Sequence, residues 1–478
     1  MPTGDAFIAL LPELIATGFV ILTLLVGVFA ERNVGLVAGV ATLGTLAVFG
    51  SAAGLLASGF SGSYFGGGFV VDDFALYFKL IVAASAFFAV LASARWSGYT
   101  GDAGEYLTLI LSVLLGSILL VSMRDLFGIF LAVELATIPS YAMVAFDRSR
   151  RESAEGGMKY LITGVIASSV LLYGIVLIYG ISGSANLADV ANALAEGLSP
   201  VALVGLVLLI SGFAFKVSAA PFHFWTPDAY QGAPTSAAAF LSVAPKAAIF
   251  AILLRILLEG MPEAAPAWTA LMAVLAIITM FVGNLFALRQ RNVRRMLAYS
   301  SVAHSGYILA AFAALQGEAL TTAVEAVLIY TAAYALMNMG AFLTIDLVGE
   351  DSKSFNGLFR VRPALALAMG VFMASLVGIP PFSGFFGKAW VILAGAQSGS
   401  VLVYVVVGAL VVNSVLSVPY YFGIIRNMFF EEPTRDAQTE LGGTGAVRFS
   451  VYALAVGTTL FIFFIGPLSA LARASGLL

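Results

Sequence analysis

Long apolar runs, each about the length of a bilayer-crossing helix, recur from one end of the chain to the other between short polar stretches. About 20 apolar residues cross the hydrocarbon core as a helix. On that rule the sequence predicts fourteen spans: 7–30, 34–60, 70–94, 104–122, 126–146, 156–182, 200–220, 234–258, 266–288, 293–315, 319–348, 362–397, 400–428 and 448–474. The first run lacks a basic leader and an A-x-A cleavage site, so it reads as a retained helix. An even count puts both termini on one side. The loops after spans 1, 3, 5, 9, 11 and 13 hold sixteen Lys and Arg, from Arg32 and Arg95 through Arg148, Lys159 and the Arg289–Arg295 cluster to Arg435 and Arg448. The opposite side has Arg124 and Arg473, with Arg255 as a third at the end of span 8. Basic loops stay cytoplasmic, so both termini are expected on the non-cytoplasmic side.

Composition agrees with the pattern. Hydrophobic residues make up 61% of the chain and charged residues 10%, against roughly 45–50% and 25% in soluble domains. A soluble fold could not hide that much apolar surface, so the chain is read as an all-α integral membrane protein. A net charge of -3 gives no reason to expect nucleic acid. The absence of Cys excludes disulfides, thiolate-held iron–sulfur clusters and Cys-ligated zinc. No nucleotide fingerprint and no metal-ligand spacing is present, so no cofactor or metal is expected in this chain. The most polar stretch, 429–447, reads as a cytoplasmic loop.

Two spans carry helix breakers. Span 7 runs into Pro221, His223, Pro227 and Asp228, with Gly232 and Pro234 following. Span 12 contains Gly378, Pro380, Pro381, Gly384 and Gly387. Proline removes a helix hydrogen bond and clashes with the preceding turn, so each place is expected to be unwound. Unwound backbone at membrane depth survives only when buried in protein or lining a wet cavity. The breaks lie five spans apart. This suggests two five-helix repeats, 104–258 and 259–428, and the odd offset inverts one relative to the other. Residues 1–103 would then be an N-terminal three-helix unit, and 429–478 a loop and final helix. The plainer reading is a pair of ordinary proline kinks.

Charges beside the breaks favour an ion path. Glu134 stands in mid-span 5, Lys216 five residues before Pro221, Lys246 within span 8, and Lys388 just after the second break. A charge at the bilayer centre costs roughly 2.5–3.5 kcal/mol on insertion scales and usually marks a proton or ion route. Burial weakens an ammonium's hold on its proton, and a nearby carboxylate restores it. At 4 Å that attraction is about 4 kcal/mol at an effective dielectric of 20. Opening or closing a Glu134–Lys216 pair could therefore load or unload a neighbouring lysine, with Lys246 and Lys388 continuing the path. The competing reading is a set of static ion pairs stitching helices together. His223 and His304 are candidate relays, because imidazole titrates near neutrality. Asp228 either joins the path or caps the segment leading into span 8. Lys79 snorkels or has a partner, Glu13 and Glu325 are pairing or interface residues, and Arg124–Asp125 reads as a short-loop pair.

At these residues the sequence resembles the antiporter-like membrane subunits of respiratory complex I, themselves similar to subunits of multisubunit sodium/proton antiporters. The stretch Lys216 to Thr235 (KVSAAPFHFWTPDAYQGAPT) carries the resemblance. So do Ser242 to Ala248 (SVAPKAA), Ala287 to Ser301 (ALRQRNVRRMLAYSS) and Gly378 to Lys388 (GIPPFSGFFGK). The N-type branch fits most narrowly, since the M-type typically has Glu where this chain has Lys388. The resemblance implies fourteen helices in two inverted repeats, and a proton path through Glu134, Lys216, Lys246 and Lys388. It also implies electron transfer from NADH to quinone in partner subunits holding flavin and iron–sulfur clusters, with K-type and M-type neighbours in a bacterial-type plasma membrane. A sodium/proton antiporter, a membrane-bound hydrogenase and a non-conducting assembly subunit remain alternatives.

Overall fold

The computed structural model describes residues 4–30, 33–94, 102–195, 197–434 and 445–474. Arg32, Arg95 and Arg435 lie outside the described residues. The main helices are α1 (Leu11–Phe29), α2 (Val34–Ala57), α3 (Asp73–Ser93), α4 (Ala103–Leu120), α5 (Leu126–Val144), α6 (Arg151–Ser182), α7 (Pro200–Lys216), α8 (Trp225–Gly232) and α9 (Thr235–Leu241). There follow α10 (Ala244–Arg255), α11 (Ala265–Ala287), α12 (Val293–Ala313), α13 (Leu320–Val348), α14 (Pro363–Val377), α15 (Ser383–Gln397), α16 (Val401–Phe430), α17 (Gly445–Leu460) and α18 (Ile465–Ala474). Among the described residues, 11 helices are long and apolar enough to cross a membrane, while α7 and α14 are shorter apolar helices that stop at breaks. The chain is a multi-pass integral membrane protein.

Local chemistry sets the helix starts. Asp72, Asp125, Ser199 and Asn292 each accept a backbone N–H from the first turn of α3, α5, α7 and α12, which satisfies donors that a helix leaves unpaired. Asp125 is thus a cap, and the expected Arg124–Asp125 pair is not formed. Arg124 instead reaches Glu259 at 2.7 Å. A small antiparallel hairpin, Gly62–Tyr64 with Phe69–Val71, precedes α3 and delays its start to Asp73. A short helix, Leu187–Ala195, fills the connection before α7.

Burial separates an inner from an outer set. In the stretch containing α9 and α10, 94% of the apolar window is buried within the chain, against 28% for α1 and 28% for α16. The charged residues of interest sit on or against the inner set. Helices α11 and α12 pack backbone to backbone: a Cβ added at Gly283 would enter the main chain of Ala303.

Ion pairs tie each end together. At one end Glu350 meets Arg150 and Arg294 at 3.2 and 3.1 Å, and Asp228 meets Arg295 and Lys159 at 2.5 and 2.6 Å. Lys159 lies on α6 rather than in the preceding loop. At the other end the fully buried Arg255 joins Asp72 and Glu259 at 2.9 and 2.6 Å. Lys79 has a buried partner, Glu13, at 2.6 Å, and Glu325 pairs with Arg473 at 2.8 Å.

Candidate functional site

The first break begins earlier than the prolines suggest. Helix α7 ends at Lys216 itself, and Ser218 adopts a left-handed conformation with φ 63°. The backbone turns out of the helix through Ala219 N–H donating to Ala214 O at 2.7 Å. The freed groups find tertiary partners: Ala220 N–H donates to Thr279 Oγ1, and Trp225 Nε1 donates to Phe215 O. Pro221 lies in this turn. Pro227 lies in the first turn of α8, where a missing N–H is harmless, so it helps start a helix rather than break one.

Lys216 therefore occupies the carbonyl end of a half-helix, where the helix dipole favours a cation. Its Nζ donates to Ser168 Oγ, Thr137 Oγ1 and Glu134 Oε1 at 3.0, 3.3 and 3.4 Å. Ser168 also donates to Glu134 at 2.5 Å. The expected pair is present, with a serine hydroxyl bridging it. Glu134 is partly exposed, on a face that also shows Leu131 and Ile138 to the outside.

Lys246 is reached through a break that the composition did not announce. Span 8 is divided at Ser242–Val243, so Lys246 stands in the first turn of α10. The helix dipole opposes a cation there. Its Nζ donates to Ser301 Oγ at 2.7 Å and lies 3.4 Å from Ser305 Oγ. Ser305 in turn donates to the Val217 carbonyl, next to Lys216, at 2.6 Å. A cavity of about 20 Å³, bordered by Thr137, Ser140, Tyr160, Lys216 and Pro245, lies between the two lysine helices. It has room for one water, which needs about 10–15 Å³.

The second break is glycine-turned. Helix α14 ends at Val377, and Gly378 takes φ 94°. The segment through Pro380 and Pro381 leads to α15, where Gly384 N–H donates to Ser375 Oγ. Lys388, in the second turn of α15, reaches back over the break: its Nζ donates to the carbonyls of Val377 at 2.7 Å and Leu376 at 3.3 Å. It also stands 4.6 Å from the centre of the Tyr307 ring. Among the described residues no carboxylate lies within 4.0 Å of Lys246 or Lys388.

The remaining candidates divide. His304 is buried on α12, with Nδ1 3.0 Å from Tyr330 Oη and Nε2 3.2 Å from Tyr421 Oη. It lies within electrostatic reach of both Lys246 and Lys388. His223 is buried beside Phe224 and forms no hydrogen bond to any of the four charged residues. Asp228 neither caps a helix nor touches those residues; its pairs with Lys159 and Arg295 hold one end of the molecule.

A family profile described as "NADH:quinone oxidoreductase/Mrp antiporter, TM" matches residues 123–417, which hold the site and both breaks. The chain belongs to this family. As a member of this NADH:quinone oxidoreductase/Mrp antiporter family, it is 76% identical over 477 residues to a protein of Rubrobacter xylanophilus named NADH-quinone oxidoreductase subunit N, covering 100% of this chain and 99% of the other. A chain in the structure of respiratory complex I from Thermus thermophilus with bound aureothin superposes with a TM-score of 0.81 at 32% identity, covering 97% of this chain and 100% of that one. A chain of the Mrp complex from Dietzia sp. shares the fold, with a TM-score of 0.86 at 22% identity, over 98% of this chain and 97% of its own. In this antiporter-family chain the sequence reading missed Ser168, Ser301 and Ser305. A hydroxyl in an apolar span carries little signal, and only tertiary contact shows which serines meet a lysine.

Proposed function

We propose that this chain is a proton-translocating membrane subunit of an NADH-quinone oxidoreductase, moving protons through Glu134, Lys216, Lys246 and Lys388 with His304 as a relay. The observation that carries this reading is the Lys216–Ser168–Glu134 cluster at the unwound end of α7. It is a buried cation and a carboxylate joined through a hydroxyl, at a place where the backbone is already open. Moving Glu134 away from Lys216 weakens the ammonium's hold on its proton, and the Ser305 bridge offers a way toward Lys246. Lys388 stands farther along, against bare helix-end carbonyls. This chain would supply one channel, organised as repeats 104–258 and 259–428. Redox chemistry would reside in partner subunits that hold flavin, iron–sulfur clusters, NADH and quinone. K-type and M-type neighbours would flank the chain in a bacterial-type plasma membrane, with both termini on the non-cytoplasmic side.

The test is to purify the chain with its partners in mild detergent, assay flavin, iron and NADH:quinone activity, and measure proton movement in sealed vesicles. Lys216→Ala should lower the protons moved per electron far more than it lowers assembly. An unchanged ratio in that variant would sink the channel reading. A redox-silent assembly with sodium-dependent proton exchange would move the chain to an antiporter complex.

A further inference from the structure

Helix α12 carries two pairs at i,i+4 spacing, offset by one residue: Ser301 with Ser305, and Ser300 with His304. At 3.6 residues per turn the two rows stand about 100° apart on the helix. The first row faces Lys246. The second faces two buried phenols from other helices. Tyr330 of α13 meets His304 Nδ1, while Tyr421 of α16 meets both His304 Nε2 and Ser300 Oγ. The Tyr330 ring packs against Gly387, the residue before Lys388. The bonded series Ser300–Tyr421–His304–Tyr330 therefore runs from the sequence neighbour of Lys246's serine to a phenol on α13 whose Cγ end is seated beside Gly387, the residue before Lys388.

Such a series has a direction. Neutral imidazole carries one N–H donor and one acceptor nitrogen, so one phenol must donate to the ring while the other accepts from it. We propose that Tyr421 and Tyr330 are working members of the proton path, and that with His304 and Ser300 they form a hydrogen-bonded series whose polarity reverses each time it passes a proton. This rests on the reading of the buried lysines as a conducting path.

In one state Tyr330 O–H donates to Nδ1, Nε2–H donates to the Tyr421 oxygen, and Tyr421 O–H donates to Ser300. A proton arriving on the Tyr330 oxygen releases that phenol's own proton to Nδ1. Nε2 gives its proton to Tyr421, Tyr421 gives its proton to Ser300, and Ser300 gives its original proton to a water molecule. Each hydroxyl oxygen loses one bond to hydrogen and gains one, while the imidazole gains one at Nδ1 and loses one at Nε2. No net charge stays behind, and every hydrogen bond now points the other way. The series cannot pass a second proton in the same direction until its hydroxyls turn and the imidazole changes tautomer, so it moves one proton per reset.

The experiment uses the whole membrane complex in sealed vesicles, comparing protons moved per electron in Tyr421→Phe, Tyr330→Phe, the double variant, Lys216→Ala and Tyr77→Phe. Tyr77 is a comparison of the same chemical change, a buried phenol that donates to the Leu328 carbonyl on α13. Tyr421→Phe and Tyr330→Phe should each lower the ratio to the level of Lys216→Ala. The double variant should be no worse than either single, since breaks in one series do not add, and Tyr77→Phe should leave the ratio intact. A wild-type ratio in both single variants, with Lys216→Ala impaired, would overturn the relay and leave the lysine path standing. A wild-type ratio in Lys216→Ala as well would overturn both. Should a Phe variant fail to assemble, Ser300→Ala removes the terminal hydroxyl without disturbing a ring and must give the same loss.

Discussion

The two broken helices solve one backbone problem and arrange charge in opposite ways. In the first, the lysine precedes the break: Lys216 ends α7 and turns to a side-chain carboxylate, with Ser168 between them. In the second, the lysine follows the break: Lys388 sits inside α15 and turns back to the main-chain carbonyls of α14. A carboxylate can swing away or take up a proton, whereas a carbonyl at a helix end can do neither. The first half thus has a variable partner for its cation and the second a fixed one. The turns differ too. The first is made by Ser218 at φ 63° and the second by Gly378 at φ 94°, and a left-handed residue other than glycine costs about 1–2 kcal/mol.

The contrast can be broken most severely at its variable partner. Glu134→Gln keeps the shape but removes an attraction worth about 4 kcal/mol near an effective dielectric of 20. Proton movement per electron should fall about as far as in Lys216→Ala. Near-normal pumping there would mean that the carboxylate is a tether only. A middle-sized effect is expected at Gly378→Ala. The new Cβ would stand 3.0 Å from Lys388 Cδ, on a backbone strained by about 1–2 kcal/mol. Thermal unfolding in detergent should shift downward, and pumping should drop with it. The smallest change is Ser218→Gly, which gives the first break the second one's turn residue. Relief of the left-handed strain should offset the greater chain entropy of glycine, leaving stability within about 1 kcal/mol of the parent by the same unfolding assay. A large loss would show that the buried Ser218 hydroxyl has a role of its own.

Much of this was legible in the sequence because membranes make polarity conspicuous. Glu134, Lys216, Lys246 and Lys388 stood out as charges in apolar runs, and Pro221 and Gly378 marked the two breaks. The interruption at Ser242–Val243 did not stand out. It shows in the sequence only as Pro245 in an otherwise helical run, and proline is at home in a helix's first turn. The end of α7 at Lys216 rather than Ala220 depends on Thr279 and on the Phe215 carbonyl that Trp225 holds, partners 59 and 10 residues away. Adjacency in sequence pairs Arg124 with Asp125, but Asp125 caps the helix that follows it, and the partner of Arg124 is Glu259, 135 residues away. Local spacing predicts local partners, and a folded bundle redistributes them.

The close seating of α11 on α12 has one more effect. With Gly283 pressed against Ala303, α12 cannot roll about its axis without carrying a larger side chain into the backbone of α11. The Lys246 row and the His304 row are thus mounted on a single fixed wall. Events on one side of that wall must cross it by reorienting hydroxyls, imidazole and water, because the wall itself has no room to turn.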